Sequence, residues 1–244
     1  MLYTLFKYLL FAPAIRLFRP RIEGTENIPA TGGAVLAGNH ISAGDTLLLP
    51  AMIRRRMTFP AKAELFVGHN LSSRVVAWFL KAVGQVPMDR SGGRASVDGL
   101  RPVMEVLQQG GLVGIFPEGT RSRDGRLHRG RTGVARLALS ARVPVIPVGF
   151  YGTELHKGPF GIPVMRRPVM RIGVPIDLSE HYDAEPTGGL LRQVTDQVMA
   201  EIQRLTGQEY VDAYAGTTRA EKLLAEQQTV EPAAGAGAEQ ADPA

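Results

Sequence analysis

The chain of 244 residues is 44% hydrophobic and 21% charged, a balance that excludes both full disorder and repeated passage through a membrane. Its net charge of +5 is carried mainly by arginine, whose planar guanidinium suits phosphorylated ligands or anionic lipid. Zinc-finger spacings and basic strands interleaved with aromatics are missing, so nucleic acid is not an expected partner. With no cysteine, the chain has no disulfide, no thiolate metal site and no cysteine to carry an acyl group.

Residues 1–18 form an apolar segment rich in Leu, Phe and Tyr, with Lys7 and Arg16 as its polar points and Pro13 interrupting it. As a straight helix it would reach roughly 27 Å, marginal for a membrane span. The preferred expectation is a helix lying in the membrane interface, its apolar side dipping inward and its two cations facing headgroups. A secretory signal and an ordinary helix docked on the domain's own core stay open as alternatives.

From about Arg21 to Asp177, short apolar runs alternate with helical patterns, which predicts an α/β domain: one central mixed sheet flanked by helices. The runs Ala34–Ala37, Leu112–Phe116 and Val143–Phe150 are expected as buried strands. Val97, Leu100, Met104 and Leu107 recur at helical spacing ahead of Gly110-Gly111. A second stripe runs through Leu190/Leu191, Val194, Val198, Ile202 and Leu205, and both stripes are expected to pack in the core. Beyond about Gln227 the chain is too poor in large apolar residues to offset ordering entropy. The expected division is therefore a helix over 1–18, one domain over 19–227 and a disordered tail over 228–244.

Chemistry concentrates where strands end. Asn39-His40-Ile41-Ser42-Ala43-Gly44-Asp45 lies between a buried strand and an apolar helix over Thr46–Ile53. In one reading the Asp45 carboxylate meets one imidazole nitrogen of His40 and leaves the other to act as a general base. In the other, Asp45 merely caps a helix and His40 is a satisfied loop residue. Ser42 could imitate a nucleophile, but no G-x-S-x-G elbow exists, and no set of metal ligands is indicated.

A second constellation, Phe116-Pro117-Glu118-Gly119-Thr120-Arg121-Ser122-Arg123, offers close backbone approach, a hydroxyl and forked donors for phosphate. A salt-bridged surface turn would explain the same residues. A third, Gly84 to Arg90, ends a short strand with a cation, and Lys62 supplies another. Arg54-Arg55-Arg56 is read as a solvated helix end.

These segments in order, followed by Val143-Pro144-Val145-Ile146-Pro147-Val148, resemble the four motifs of the glycerolipid acyltransferase family. The similarity runs from about Phe18 to Asp177. It implies His40 as base and Asp45 as its orienting partner. It also implies an acceptor site formed by Arg90, Glu118, Gly119, Thr120 and Arg121, with Lys62 as a further phosphate ligand, and a Val143–Val148 strand shaping the acyl-donor side. The implied reaction moves an acyl group from acyl-CoA or acyl-carrier protein, as co-substrate, to the sn-2 hydroxyl of 1-acylglycerol 3-phosphate. The resemblance implies no cofactor and no metal. The expected partners are a lysophospholipid acceptor, the acyl donor and an anionic membrane surface, and the expected location is the cytoplasmic face of the cell membrane, as a monotopic or peripheral protein. Met88, where a β-branched or aromatic residue is expected, and the single N-terminal apolar segment depart from the family's pattern.

Overall fold

A computed structural model describes residues 2–82, 84–88 and 99–216. Arg90, Val97 and the tail beyond Gln227 lie outside them, and so do the expectations placed there.

The apolar runs become β1 (Arg21–Glu23), β2 (Ala34–Gly38), β3 (Met57–Thr58), β4 (Leu112–Ile115), β5 (Val145–Tyr151) and β6 (Val169–Ile172). They form one sheet in the order β1-β6-β5-β2-β4-β3. Only β5 and β6 pair antiparallel; the other neighbours are parallel. This is the mixed sheet expected from the sequence. All five residues of β2 are buried, because helices cover both sheet faces and a strand in that setting reads as an unbroken apolar run.

Among the described residues the helices that follow Arg21 are, in chain order, α1 (Ala43–Met52), α2 (Leu71–Ala82), α3 (Arg101–Gln108), α4 (Gly133–Ala141) and α5 (Gly188–Thr206). Val35 and Ala37 of β2 point into a core shared with Val103 and Leu107 of α3, Leu137 of α4, and Leu191, Val194, Val198 and Ile202 of α5. Ala34 and Leu36 point the other way, to Leu48 and Leu49 of α1 and to Ile15 near the N-terminus. The period of two along the strand thus feeds two separate cores.

The N-terminal segment is helical throughout Leu2–Phe6, Lys7–Phe11 and Ala12–Arg16, with a π-helical middle. It docks through Lys7, Ala12 and Ile15, while Leu2, Leu5, Leu9 and Leu10 face outward. Lys7 therefore does not face outward with Arg16 as expected. Its ammonium is buried and donates to the carbonyls of Ile53, Arg54 (3.2 Å) and Arg55 (3.4 Å). The carbonyls of the turn that ends α1 have no helical partner of their own and attract a cation. Burial holds the Lys7 pKa down at about 8. Arg55 likewise is no free cation: it donates to Pro29 O and Gly32 O at 2.8 Å each. Among the described residues no helix is long and apolar enough to cross a membrane.

Candidate active site

The end of β2 is pinned before the chemistry begins. Asn39, buried, donates to Phe150 O (3.1 Å) and accepts from Phe150 N (2.8 Å), which ties the end of β2 to the end of β5. His40 follows directly. Its N–H donates to Glu118 Oε1 (3.1 Å), its carbonyl accepts from Ser122 N (2.7 Å), and its ring stacks on Phe116 with centroids 3.9 Å apart. The loop after β4 thus holds His40 from three directions.

Asp45 completes the arrangement from α1. Its Oδ2 receives His40 Nδ1 (2.9 Å), Ile41 N (2.8 Å) and Ser42 N (2.9 Å), and its Oδ1 receives the Thr153 hydroxyl. Both readings of Asp45 hold at once: at the third position of α1 it closes a capping box with Ser42, and it also binds His40. The Ser42 hydroxyl serves that cap, accepting from Gly44 N at 3.0 Å, and Ser42 is buried away from the cleft wall rather than placed as a nucleophile. Gly44 is required because a Cβ there would stand 2.1 Å from Thr153 O; the close approach is what lets Thr153 reach Asp45.

The hydrogen bonds decide the tautomer. Asp45 is fully buried and every described neighbour of its carboxylate is a donor. An acceptor so surrounded calls for a donor at Nδ1, so neutral His40 keeps its proton there, donates it in the hydrogen bond to Asp45, and carries its lone pair on Nε2. The His40 side chain is 16% exposed and opens into a cleft of about 1160 Å³.

The cleft wall carries polar residues, among them His40, Gly119, Thr120, Arg121, Arg131 and Arg136, and apolar ones, among them Phe6, Phe11, Leu47, Phe59, Phe79 and Phe116. Among the described residues, Arg121, Arg131 and Arg136 have no carboxylate partner, whereas Arg126, Arg129, Arg142, Arg171, Arg192 and Arg204 each have one. The cleft that His40 enters is therefore open to anions. Gly119 has a φ of +77°, and a Cβ there would come within 2.9 Å of Arg131 Nε, so both backbone conformation and space call for glycine. The Arg131 guanidinium lies over the Tyr214 ring at 5.1 Å.

A family-wide comparison meets the same segment. The Acyltransferase family model matches residues 19–151, more than half of the 244 residues. The chain belongs to the Acyltransferase family. Similar proteins include the chloroplast 1-acyl-sn-glycerol-3-phosphate acyltransferase of Arabidopsis thaliana, 36% identical over 56% of this chain and 37% of that protein. The 1-acyl-sn-glycerol-3-phosphate acyltransferase of Bacillus subtilis is 28% identical over 76% of this chain and 87% of its own. A crystal structure of the 1-acyl-sn-glycerophosphate acyltransferase from Thermotoga maritima matches with a TM-score of 0.61 and 27% identity, covering 83% of this chain and 79% of that one. The chain thus spans well under half the length of the chloroplast relative and most of the length of the bacterial ones.

Within this Acyltransferase domain, the residues singled out from sequence fall in three groups. His40, Asp45, Gly119, Thr120 and Arg121 come together, the first and last three on the cleft wall and Asp45 behind them. Glu118 is instead wholly buried, accepting from His40 N and from His128 N (3.0 Å), and is not on the cleft wall. Burial raises its pKa to about 7 despite those two bonds. Lys62 ends the short strand Pro60–Lys62, which pairs in parallel with Val86–Met88, while Phe59, Pro60 and Ala61 line the cleft beside it. The Val143–Val148 segment does not line the cleft; from Val145 onward it is the buried β5, which supports the site from behind by pairing with β2. A strand covered on both faces has no side left to offer a ligand.

Thr153, Arg131 and Arg136 escaped the sequence reading. A threonine just after a central strand, and arginines at the start of a helix, are too common to stand out without the fold. Among the described residues no group of three or more His, Asp or Glu side chains could hold a metal ion.

Proposed function

We propose that the protein transfers a fatty acyl group from acyl-CoA or acyl-carrier protein to the sn-2 hydroxyl of 1-acylglycerol 3-phosphate, giving phosphatidic acid. The observation that carries this reading is the His40 Nδ1 to Asp45 Oδ2 bond of 2.9 Å in one cleft walled by both phenylalanines and arginines. A lysophosphatidate combines the matching apolar and anionic chemistry. Its acyl chain fits the phenylalanines, and its phosphate fits Arg121 and the other unneutralised arginines.

In this mechanism His40 Nε2 takes the hydroxyl proton as the oxygen attacks the thioester carbonyl. The new C–O bond forms, the C–S bond breaks, and the proton passes from His40 to the departing thiolate. Asp45 holds the ring and stabilises the imidazolium while it exists. Thiolate leaves readily, so the step as written needs positioning and a base but neither a covalent acyl-enzyme nor a resident cofactor. The same reading places the protein peripherally on an anionic membrane at its cytoplasmic face, held by the N-terminal helix, whose outward side is apolar.

The test is acyl transfer from acyl-CoA to 1-acylglycerol 3-phosphate by purified wild-type and His40→Ala protein, with lysophosphatidylcholine and no acceptor in parallel. Phosphatidic acid formed by the wild type and lost in the variant is the expected result. Equal use of lysophosphatidylcholine would remove the phosphate-selective acceptor, and fatty acid released without acceptor would make the protein a hydrolase.

A further inference from the structure

The outward side of α2 is built the wrong way round for a helix facing water. Leu71, Val75 and Trp78, spaced i, i+4 and i+7, form a stripe on the exposed side and are 79%, 56% and 54% exposed. A surface helix normally turns such a stripe to the core. Here the inward side is held by Ala77, which is buried, and by Leu80, which reaches the cleft.

The stripe continues onto the N-terminal helix. Phe6 packs edge-on against Trp78 (6.3 Å) and Phe79 (5.7 Å), and Phe11 against Phe79 (5.7 Å). These aromatics lock the two helices side by side with Leu5 and Leu9 also outward, at 51% and 72% exposed. An apolar surface shared by two elements marks an interaction site rather than scattered exposure. Charge says which kind. Residues 1–22 and 65–88 contain no Asp or Glu, while Arg74 and Lys81 lie on the same side of α2 as the stripe. An apolar stripe flanked on its own helix by Arg74 and Lys81 fits a bilayer of anionic lipid, with the rings and aliphatic chains among the acyl tails and the cations at the phosphates.

We propose that α2 enters the membrane beside the N-terminal helix through Leu71, Val75 and Trp78, so that the protein grips the bilayer with two elements. Residues of both helices, Phe6 and Phe11 on one and Phe79 and Leu80 on the other, line the cleft. A lipid substrate would then reach the cleft from the bilayer along the residues these two helices contribute to its wall. This purpose rests on the lipid-acyltransferase reading; the contact itself is measurable without turnover.

Trp78 is the only tryptophan in the chain, so the full-length protein reports on this surface by its own fluorescence. Vesicles of phosphatidylcholine and phosphatidylglycerol should shift Trp78 emission to the blue, and brominated acyl chains in those vesicles should quench it. The double variant Leu71→Ser/Val75→Ser, altered only at exposed positions, should partition about tenfold more weakly and still acylate a short-chain acceptor dispersed below micelle formation. Vesicle-bound protein with unshifted, unquenched Trp78 overturns the proposal, as does a double variant that partitions like the wild type or a wild type that ignores vesicles. A concentration-dependent dimer in which Trp78 is already shielded without lipid would show a second copy on this surface and overturn it too. Quenching in a protein that transfers no acyl group would leave the interface standing and remove the functional reading instead.

Discussion

Among the described residues two histidine–aspartate pairs are linked through Glu118, and they differ in which ring nitrogen is left over and where it lies. His40 uses Nδ1 to bind Asp45 and leaves Nε2 toward the cleft. His128 uses Nε2 to bind Asp124 (3.0 Å), and its other nitrogen is buried without a partner. Both carboxylates are well supplied with donors. Burial opposes ionisation of Asp124, yet hydrogen bonds from Ser122, His128 and Arg126 N–H outweigh it and carry its pKa down to about 2. Glu118 ties the two pairs together by accepting from both histidine N–H groups. A carboxylate partner therefore orients a histidine but does not make it a base; access of the remaining nitrogen does.

The largest effect is expected at His40. His40→Ala should lower kcat about 10²–10⁴-fold while circular dichroism and melting temperature stay near wild type. Asp45→Asn should cost roughly 10²–10³-fold in kcat, because an amide donor facing Nδ1 favours the tautomer that protonates Nε2; single-turnover acylation with little change in acceptor KM would show it. His128→Ala should behave in the opposite sense. It should leave kcat per folded molecule within about threefold and reduce unfolding free energy by about 1–3 kcal/mol, read by denaturant titration. A hundredfold fall in kcat with stability intact would mean that His128 takes part in the reaction.

Glu118, which joins the two pairs, makes stability depend on pH. Its folded pKa of about 7 lies above the ordinary 4.5, so between those values the folded state holds a proton that the unfolded state has lost. The resulting stability is complete below about 4.5 and disappears as pH rises through about 7. Relative to Glu118→Gln, the wild type should therefore be more stable at pH 5 than at pH 8, by about 1–3 kcal/mol. Paired denaturation curves at the two pH values read this, and parallel behaviour of the two proteins would place the titration elsewhere.

Much of the fold was legible because its signals are local. Ala34–Ala37 reads as a buried strand from its unbroken apolar run, and Leu191, Val194, Val198 and Ile202 read as a core stripe from their spacing. The ordered motifs around His40 and Gly119 carried most of the site. Glu118 was legible as important but not in its placement: a carboxylate beside Gly-Thr-Arg looks ready for a ligand until the fold turns it inward onto two backbone N–H groups. Lys7 misled for the same reason, since only the packing of the N-terminal helix against the end of α1 presents it with carbonyls.

Residue types and their spacing alone specified the principal buried strands, the core stripe of α5 and the ordered motifs around His40 and Gly119, whereas the capping box of Ser42 and Asp45 emerged with the helix start at Ala43. Only the closed fold shows which nitrogen of which histidine meets the cleft, that Thr153 completes the Asp45 shell from 108 residues away, and that Arg121, Arg131 and Arg136 line one cleft with no carboxylate partner among the described residues. Periodicity and capping depend on neighbours within a few positions, whereas access and charge balance depend on atoms brought together only by closing the sheet.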